Sequence, residues 1–194
     1  NRYTDWGNYY PYQTLRNLWQ LAAYVPAERL QVEFLNKWRN PSKYGDDPFA
    51  PARYSMDYLF AITMMAQPLA WMEASNLPDE AYSLGKSIKC YTKWQHQIHQ
   101  GIILPVGEEP SGRSWTGFQS ITDGRSGFLL VFREDNDRPT THMLLHLDKG
   151  TTLRLQPLMG DGKESNVTSD GEGRISLTLP QPNDFCLYHY EVKE

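Results

Sequence analysis

Cysteine is scarce in this chain. Only Cys90 and Cys186 occur, nearly a hundred residues apart, so their spacing suggests no disulfide framework, and the pair reads either as two buried thiols or as one long-range bridge. Basic charge is thin as well: 19 Lys and Arg stand against 23 Asp and Glu, a formal net charge of −4 with no long block of one sign. A nucleic-acid partner, which needs a basic stripe, is therefore not expected. Long apolar runs are missing too. The longest, near Ile62 to Met72, is broken by Thr63, Gln67 and Pro68 and falls far short of the ~20 residues a helix needs to cross a bilayer, so no membrane partner is expected either. The start, Asn1-Arg2-Tyr3, shows neither an initiator Met nor a signal peptide; it reads as a processed or truncated piece and leaves the compartment open. There is no internal repeat and no low-complexity tract.

The motifs of several chemistries are also absent. His96 and His99 lie three apart on a helical stretch, and His142 and His146 on what reads as one strand face. Neither pair has a further ligand at zinc spacing, so no metal and no other cofactor is expected. Gly112-Arg113-Ser114-Trp115-Thr116-Gly117 lacks the Gly-x-Ser-x-Gly spacing of a nucleophile elbow and opens a β region. The glycines from Gly107 to Gly117 lack the Gly-Lys-Ser/Thr ending of a phosphate loop. Asn166-Val167-Thr168 fits a glycosylation sequon, which matters only in a secreted eukaryotic protein.

What is present divides at about Pro105. Of the 25 aromatic residues, only seven lie beyond residue 105, Trp115 being the one tryptophan among them. The segment Asn1 to Val25 is rich in them: Tyr3, Trp6, Tyr9, Tyr10, Tyr12, Trp19 and Tyr24, interspersed with Arg2, Asp5, Asn8 and Arg16. A pyranose offers an apolar face for stacking and a rim of hydroxyls for Asp, Asn and Arg, so such a mixture suits a sugar pocket. Leu15, Leu18, Trp19 and Ala22 have helical spacing, however, and for Tyr3 to Tyr12 pocket and core stand as equal readings. Arg29 to Trp38 alternates like a strand and also fits a helix; a strand is the preferred reading. The breaker-rich loop from Lys37 to Pro51 follows, and loops of that length are usually functional. Arg53 to Ala66 reads as a helix, Ala66 to Met72 as a strand, and Pro78 to Gly101 as one long helix with Ala81, Leu84, Ile88, Tyr91 and Ile98 on its apolar face. From there the period changes. Ile102 to Leu104 is a short β-prone run, and Trp115–Ile121, Gly127–Arg133, Thr141–Leu147, Thr152–Pro157, Arg174–Leu179 and Asp184–Val192 alternate between Gly- and Asp-marked turns, the pattern of an antiparallel sandwich. The expected class is thus α/β plus all-β, divided as 1–105 and 106–194.

Several of these segments resemble the melibiase-type α-galactosidases. Ile98-His99-Gln100-Gly101 before a short apolar strand looks like the end of their last barrel helix, and the turn Asn76-Leu77-Pro78 precedes it as theirs does. Trp115-Thr116-Gly117-Phe118-Gln119 and Gly127 to Arg133 look like the first strands of their sandwich. The resemblance covers nearly the whole chain in order of elements. It implies the last units of a (β/α)8 barrel followed by an antiparallel β-sandwich, from a retaining glycoside hydrolase acting on terminal α-linked sugars.

Such an enzyme uses two carboxylates. Arg2-Tyr3-Thr4-Asp5-Trp6 resembles the segment bearing the family's acid/base aspartate, which implies Asp5 as the catalytic residue; the aromatic and polar mixture and the long loop give Arg2, Trp6, Tyr9, Tyr10 and Trp38 as the expected substrate-binding residues. The nucleophile's Lys-x-Asp-like motif has no counterpart here. The implied partners are a carbohydrate substrate and a preceding part of the same polypeptide, without which this chain is expected to be inactive; a secreted or periplasmic parent would be compatible with that. Asp5 also has a structural or substrate-binding reading, and Asp47, beside Pro48, reads as a turn or cap. A different class of function, a non-catalytic carbohydrate-binding module with an aromatic platform, fits the same aromatic residues.

Overall fold

The computed structural model describes residues 9–38, 41–72 and 77–193. The first helix, α1 (Pro11–Ala22), has proline in its first turn, where the missing N–H is no loss, and buries Leu15, Leu18 and Ala22. A βαβ unit follows: strand β1 (Gln31–Leu35), helix α2 (Met56–Ala61) and strand β2 (Gln67–Trp71), the two strands pairing parallel. Burial of Val32 and Phe34 on one face of β1 resolves the two readings of that segment in favour of a strand. The expected helix Arg53–Ala66 is shorter. Ser55 caps it by accepting the Tyr58 amide at 3.1 Å, and after Ala61 the chain tightens into turns in which the Thr63 hydroxyl bonds back to the Phe60 carbonyl.

The expected single helix Pro78–Gly101 is two: α3 (Asp79–Tyr91) and α4 (Gln95–Gln100). At the break, the Thr92 hydroxyl bonds the Lys89 carbonyl, and the turn seats Trp94 against Phe128 and stacked on His189. Ile88, expected on the buried face, is exposed, while Leu84, Tyr91 and Ile98 are buried.

Eight strands follow: β3 (Ile102–Gly107), β4 (Trp115–Ile121), β5 (Ser126–Arg133), β6 (Thr140–Leu144), β7 (Thr152–Gly160), β8 (Ser165–Thr168), β9 (Arg174–Thr178) and β10 (Asp184–Lys193). Six form an antiparallel sheet in the order β3-β4-β5-β10-β7-β8, and β6 pairs with β9 in a second sheet. The antiparallel, sandwich-like portion expected from the alternation is therefore present. The division expected after Pro105 falls inside β3. Strand β6 ends at Leu144, so His146 lies beyond the strand that carries His142.

The large sheet is covered on both faces, and β5 shows how. Phe128, Leu130 and Phe132 face the helices and share a core with Leu15, Tyr58, Phe60 and Tyr91; Leu129 and Val131 face the small sheet and pack with Met143, Leu155, Ile175 and Tyr190. The first core runs without interruption from the βαβ unit into the large sheet. Polar ties reinforce it: Trp19 donates to the Val106 carbonyl at 3.1 Å and Ser120 to the Ile98 carbonyl at 2.7 Å. Both cysteines are free. Burial pushes the Cys186 thiol up to about 12, so it is inert at neutral pH.

Candidate functional site

Residues from three elements meet at the carboxyl end of the parallel pair. Leu35 and Trp71 are register partners, so β1 and β2 end at the same level. Beyond Leu35, the Asn36 side chain accepts the Trp38 amide at 3.0 Å and turns the chain. Lys37 is drawn inward to 8% exposure; its ammonium donates to the Tyr54 carbonyl at 2.8 Å, pairs with Glu80 at 2.6 Å and lies 5.2 Å from the Trp38 ring centre. That clamp joins β1 to the start of α3. Trp38 is half-buried beside it, and Trp71 is exposed.

The segment leading into α1 brings Tyr9 and Tyr10 to the long loop. Tyr9 is buried, its carbonyl accepting the Tyr44 hydroxyl at 3.1 Å. Burial raises its phenol above the usual tyrosine range, which the Leu35 backbone partly offsets. Tyr10 is half-buried. Its hydroxyl donates to one carboxylate oxygen of Asp47 at 2.8 Å, and this bond holds the phenol protonated above its ordinary pKa. The other Asp47 oxygen accepts the Phe49 amide at 2.9 Å, so Asp47 is the turn residue its place beside Pro48 suggests and also the anchor of Tyr10.

From Tyr10 the rings continue outward. Tyr12 lies 6.0 Å from Tyr10, Phe49 5.2 Å from Tyr12, and the Arg113 guanidinium 5.9 Å over Phe49, while Arg16 lies over the other end at Tyr12. Arg113 belongs to the β3–β4 loop, so this aromatic run leads from the helical portion onto the sandwich. Beneath it, the Tyr54 hydroxyl and one oxygen of Glu134 are buried without a hydrogen-bond partner. The other Glu134 oxygen accepts the amides of Ser111 at 3.0 Å and Ser114 at 2.7 Å. Burial raises the pKa of both groups. Both groups are enclosed, and Glu134 holds the β3–β4 loop through those two amides.

Of the residues singled out in the sequence, Tyr9 and Tyr10 come together with Asp47, and Trp38 stands at the strand end beside Lys37. Arg2, Asp5 and Trp6 lie outside the described residues. Lys37, Tyr54 and Glu134 escaped sequence reasoning; a lysine directly after an alternating strand, at the loop that a parallel sheet would aim at a ligand, was the one available signal. Among the described residues no cluster of three or more His, Cys, Asp or Glu could hold a metal ion.

Neither a family model nor a curated protein matches the sequence. Solved structures do match in three dimensions. The galactosidase domain of an α-galactosidase–sucrose kinase superposes with a TM-score of 0.64 at 10% identity, over 94% of this chain and 25% of that one. The fold is shared with these hydrolases. An α-amylase from Anoxybacillus gives a TM-score of 0.59 at 12% identity, over 95% of this chain and 45% of that one. A family 36 α-galactosidase from Geobacillus stearothermophilus, in complex with stachyose, gives 0.53 at 12% identity, over 84% and 22%. This chain thus spans between about a fifth and a half of the length of the proteins it resembles.

Proposed function

We propose that the chain is the C-terminal portion of a retaining α-galactosidase-like glycoside hydrolase, residues 1–105 supplying the last units of a (β/α)8 barrel and residues 106–194 the supporting sandwich. The observation that carries this reading is the β1–α2–β2 unit. A two-stranded parallel sheet is too small to stand alone, since parallel strands are normally buried within larger sheets flanked by helices. Here both outer edges of the pair are without a strand partner among the described residues. The preceding part of the polypeptide would add the remaining strands. Barrel enzymes place their chemistry at the carboxyl ends of the strands, where Trp38, Tyr9 and Tyr10 stand.

In this reading Asp5 is the proton donor and Arg2, Trp6, Tyr10 and Trp38 bind the sugar, while Tyr9, expected to join them, is buried and holds the Tyr44 hydroxyl through its carbonyl. The nucleophile comes from the preceding strands, so residues 1–194 alone would not turn over substrate. The polypeptide including that preceding part should hydrolyse an aryl α-galactoside, and Asp5→Asn should lower kcat about 10²- to 10⁴-fold, the usual contribution of a general acid. Unchanged turnover by Asp5→Asn in a folded enzyme would remove Asp5 from the mechanism. Saccharide binding without turnover by either form would favour a non-catalytic binding module.

A further inference from the structure

Two loops at one end of the sandwich, β3–β4 and β5–β6, border an open surface depression of about 500 Å³ lined by exposed Arg113 and Asp137 and half-buried Asp135 and Asn136. Its walls are held before any ligand arrives. The Asp135 amide donates to the Gly112 carbonyl at 3.0 Å, and Asn136 donates to the carbonyls of Ser114 and Glu134 while accepting the Arg138 amide. Arg138 in turn forms a two-pronged pair with Glu108 at 2.9 and 3.0 Å, and Glu134 ties down both Ser111 and Ser114. Gly112 has φ +88°, and a Cβ there would come within 2.5 Å of Phe49, so the β3–β4 loop lies flat on that ring. The Arg113 guanidinium lies 5.9 Å over the same ring.

The groups left to a ligand are those of Arg113, Asp135 and Asp137. Two carboxylates repel an anion, and the guanidinium that lines the same depression disfavours a metal ion. A neutral ligand with adjacent hydroxyls suits all three, because hydroxyls donate to the carboxylates and accept from the arginine. Half-buried Tyr12, next to the Phe49 ring that Gly112 and Arg113 cover, supplies aromatic surface of the kind a pyranose packs on.

We propose that this depression is a saccharide-binding site on the sandwich, reached along the Tyr10–Tyr12–Phe49–Arg113 run, where it receives a sugar unit of an extended chain. The proposal rests on the carbohydrate reading for its ligand class, and it requires no catalysis. The test is titration of the full chain with raffinose, followed by amide NMR and calorimetry, in parent protein and in the Arg113→Ala, Asp135→Asn and Asp137→Asn variants. Saturable shifts at residues 112–113 and 135–137, with affinity weakened at least about tenfold in the variants and their thermal midpoints unchanged, are expected. Shifts confined to residues 9–10 and 37–38 would overturn this site while sustaining the proposed function. No raffinose-induced shift at residues 112–113 and 135–137 would overturn this site and leave the proposed function to its own turnover test, and shifts there with calcium or inorganic phosphate but not with raffinose would overturn the assignment of ligand class. Because the shifts are mapped on the parent protein, a variant that fails to fold does not obscure the result.

Discussion

Lys37 shows how a single residue can organise the strand end. Its ammonium is almost wholly enclosed, yet it is satisfied by the Tyr54 carbonyl and Glu80. Replacing it with Met keeps the stem but leaves a buried carbonyl unpaired and Glu80 without its partner, which should destabilise the protein by about 1–3 kcal/mol; the urea midpoint checks this, and an unchanged midpoint would mean that the clamp is dispensable. Asp184, the first residue of β10, makes a second residue-scale prediction. Burial, with the neighbouring Asp161 carboxyl adding to it, raises its pKa from 3.8 to about 6. The native state therefore binds a proton more tightly than the unfolded chain does. This contribution to stability is fully present below about pH 4 and is lost as pH rises through about 6. Discounted for a half-buried group open to solvent screening, the loss amounts to about 1 kcal/mol. Between pH 4 and 7 the unfolding free energy of Asp184→Asn should accordingly rise by about that much relative to the parent, and a constant difference across the range would show that Asp184 carries no such shift. Neither residue was legible as a site in the sequence, because each owes its role to partners far along the chain. Tyr10 was legible in part: its aromatic neighbourhood was visible, its bond to Asp47, 37 residues on, was not.

At the scale of elements, the strands were legible because alternation of apolar residues reports directly on a sheet face. The exception is β8. Ser165–Thr168 is polar and lies at the edge of the sheet, held to β7 by backbone pairing and a Thr152–Thr168 side-chain bond at 2.9 Å, so no apolar pattern marks it. The break between α3 and α4 was hidden for the opposite reason. Leu84, Tyr91 and Ile98 are spaced seven apart, close to two helical turns, and all three stay buried across the interruption, so the periodicity runs straight through it. Packing between elements makes its own prediction. Phe132 of β5 is fully buried with its ring edge-on to Tyr58 of α2 at 5.2 Å. Phe132→Ala should cost about 3–5 kcal/mol in global stability, and its urea transition should remain single because the helices and the large sheet share one core. A split transition would show that the two portions unfold separately.

At the scale of the whole molecule, the described helices, the six-stranded sheet and the small second sheet share two buried cores, and the β1–β2 pair is the part that looks unfinished. The sandwich-like portion and its place after the helical one could be read from composition and turn spacing. The number of parallel strands could not, since a strand's partners leave no trace in its own sequence. The central claim is that β1 and β2 are the visible end of a larger parallel sheet, and amide hydrogen exchange tests it most directly. In residues 1–194 alone, the amides of β1 and β2 should exchange far faster than those of β5 and β10, and they should become protected when the strands proposed to precede them are joined to them. Protection of β1 and β2 at the level of β10 in the isolated, monomeric chain would contradict the account and mark the pair as a finished element.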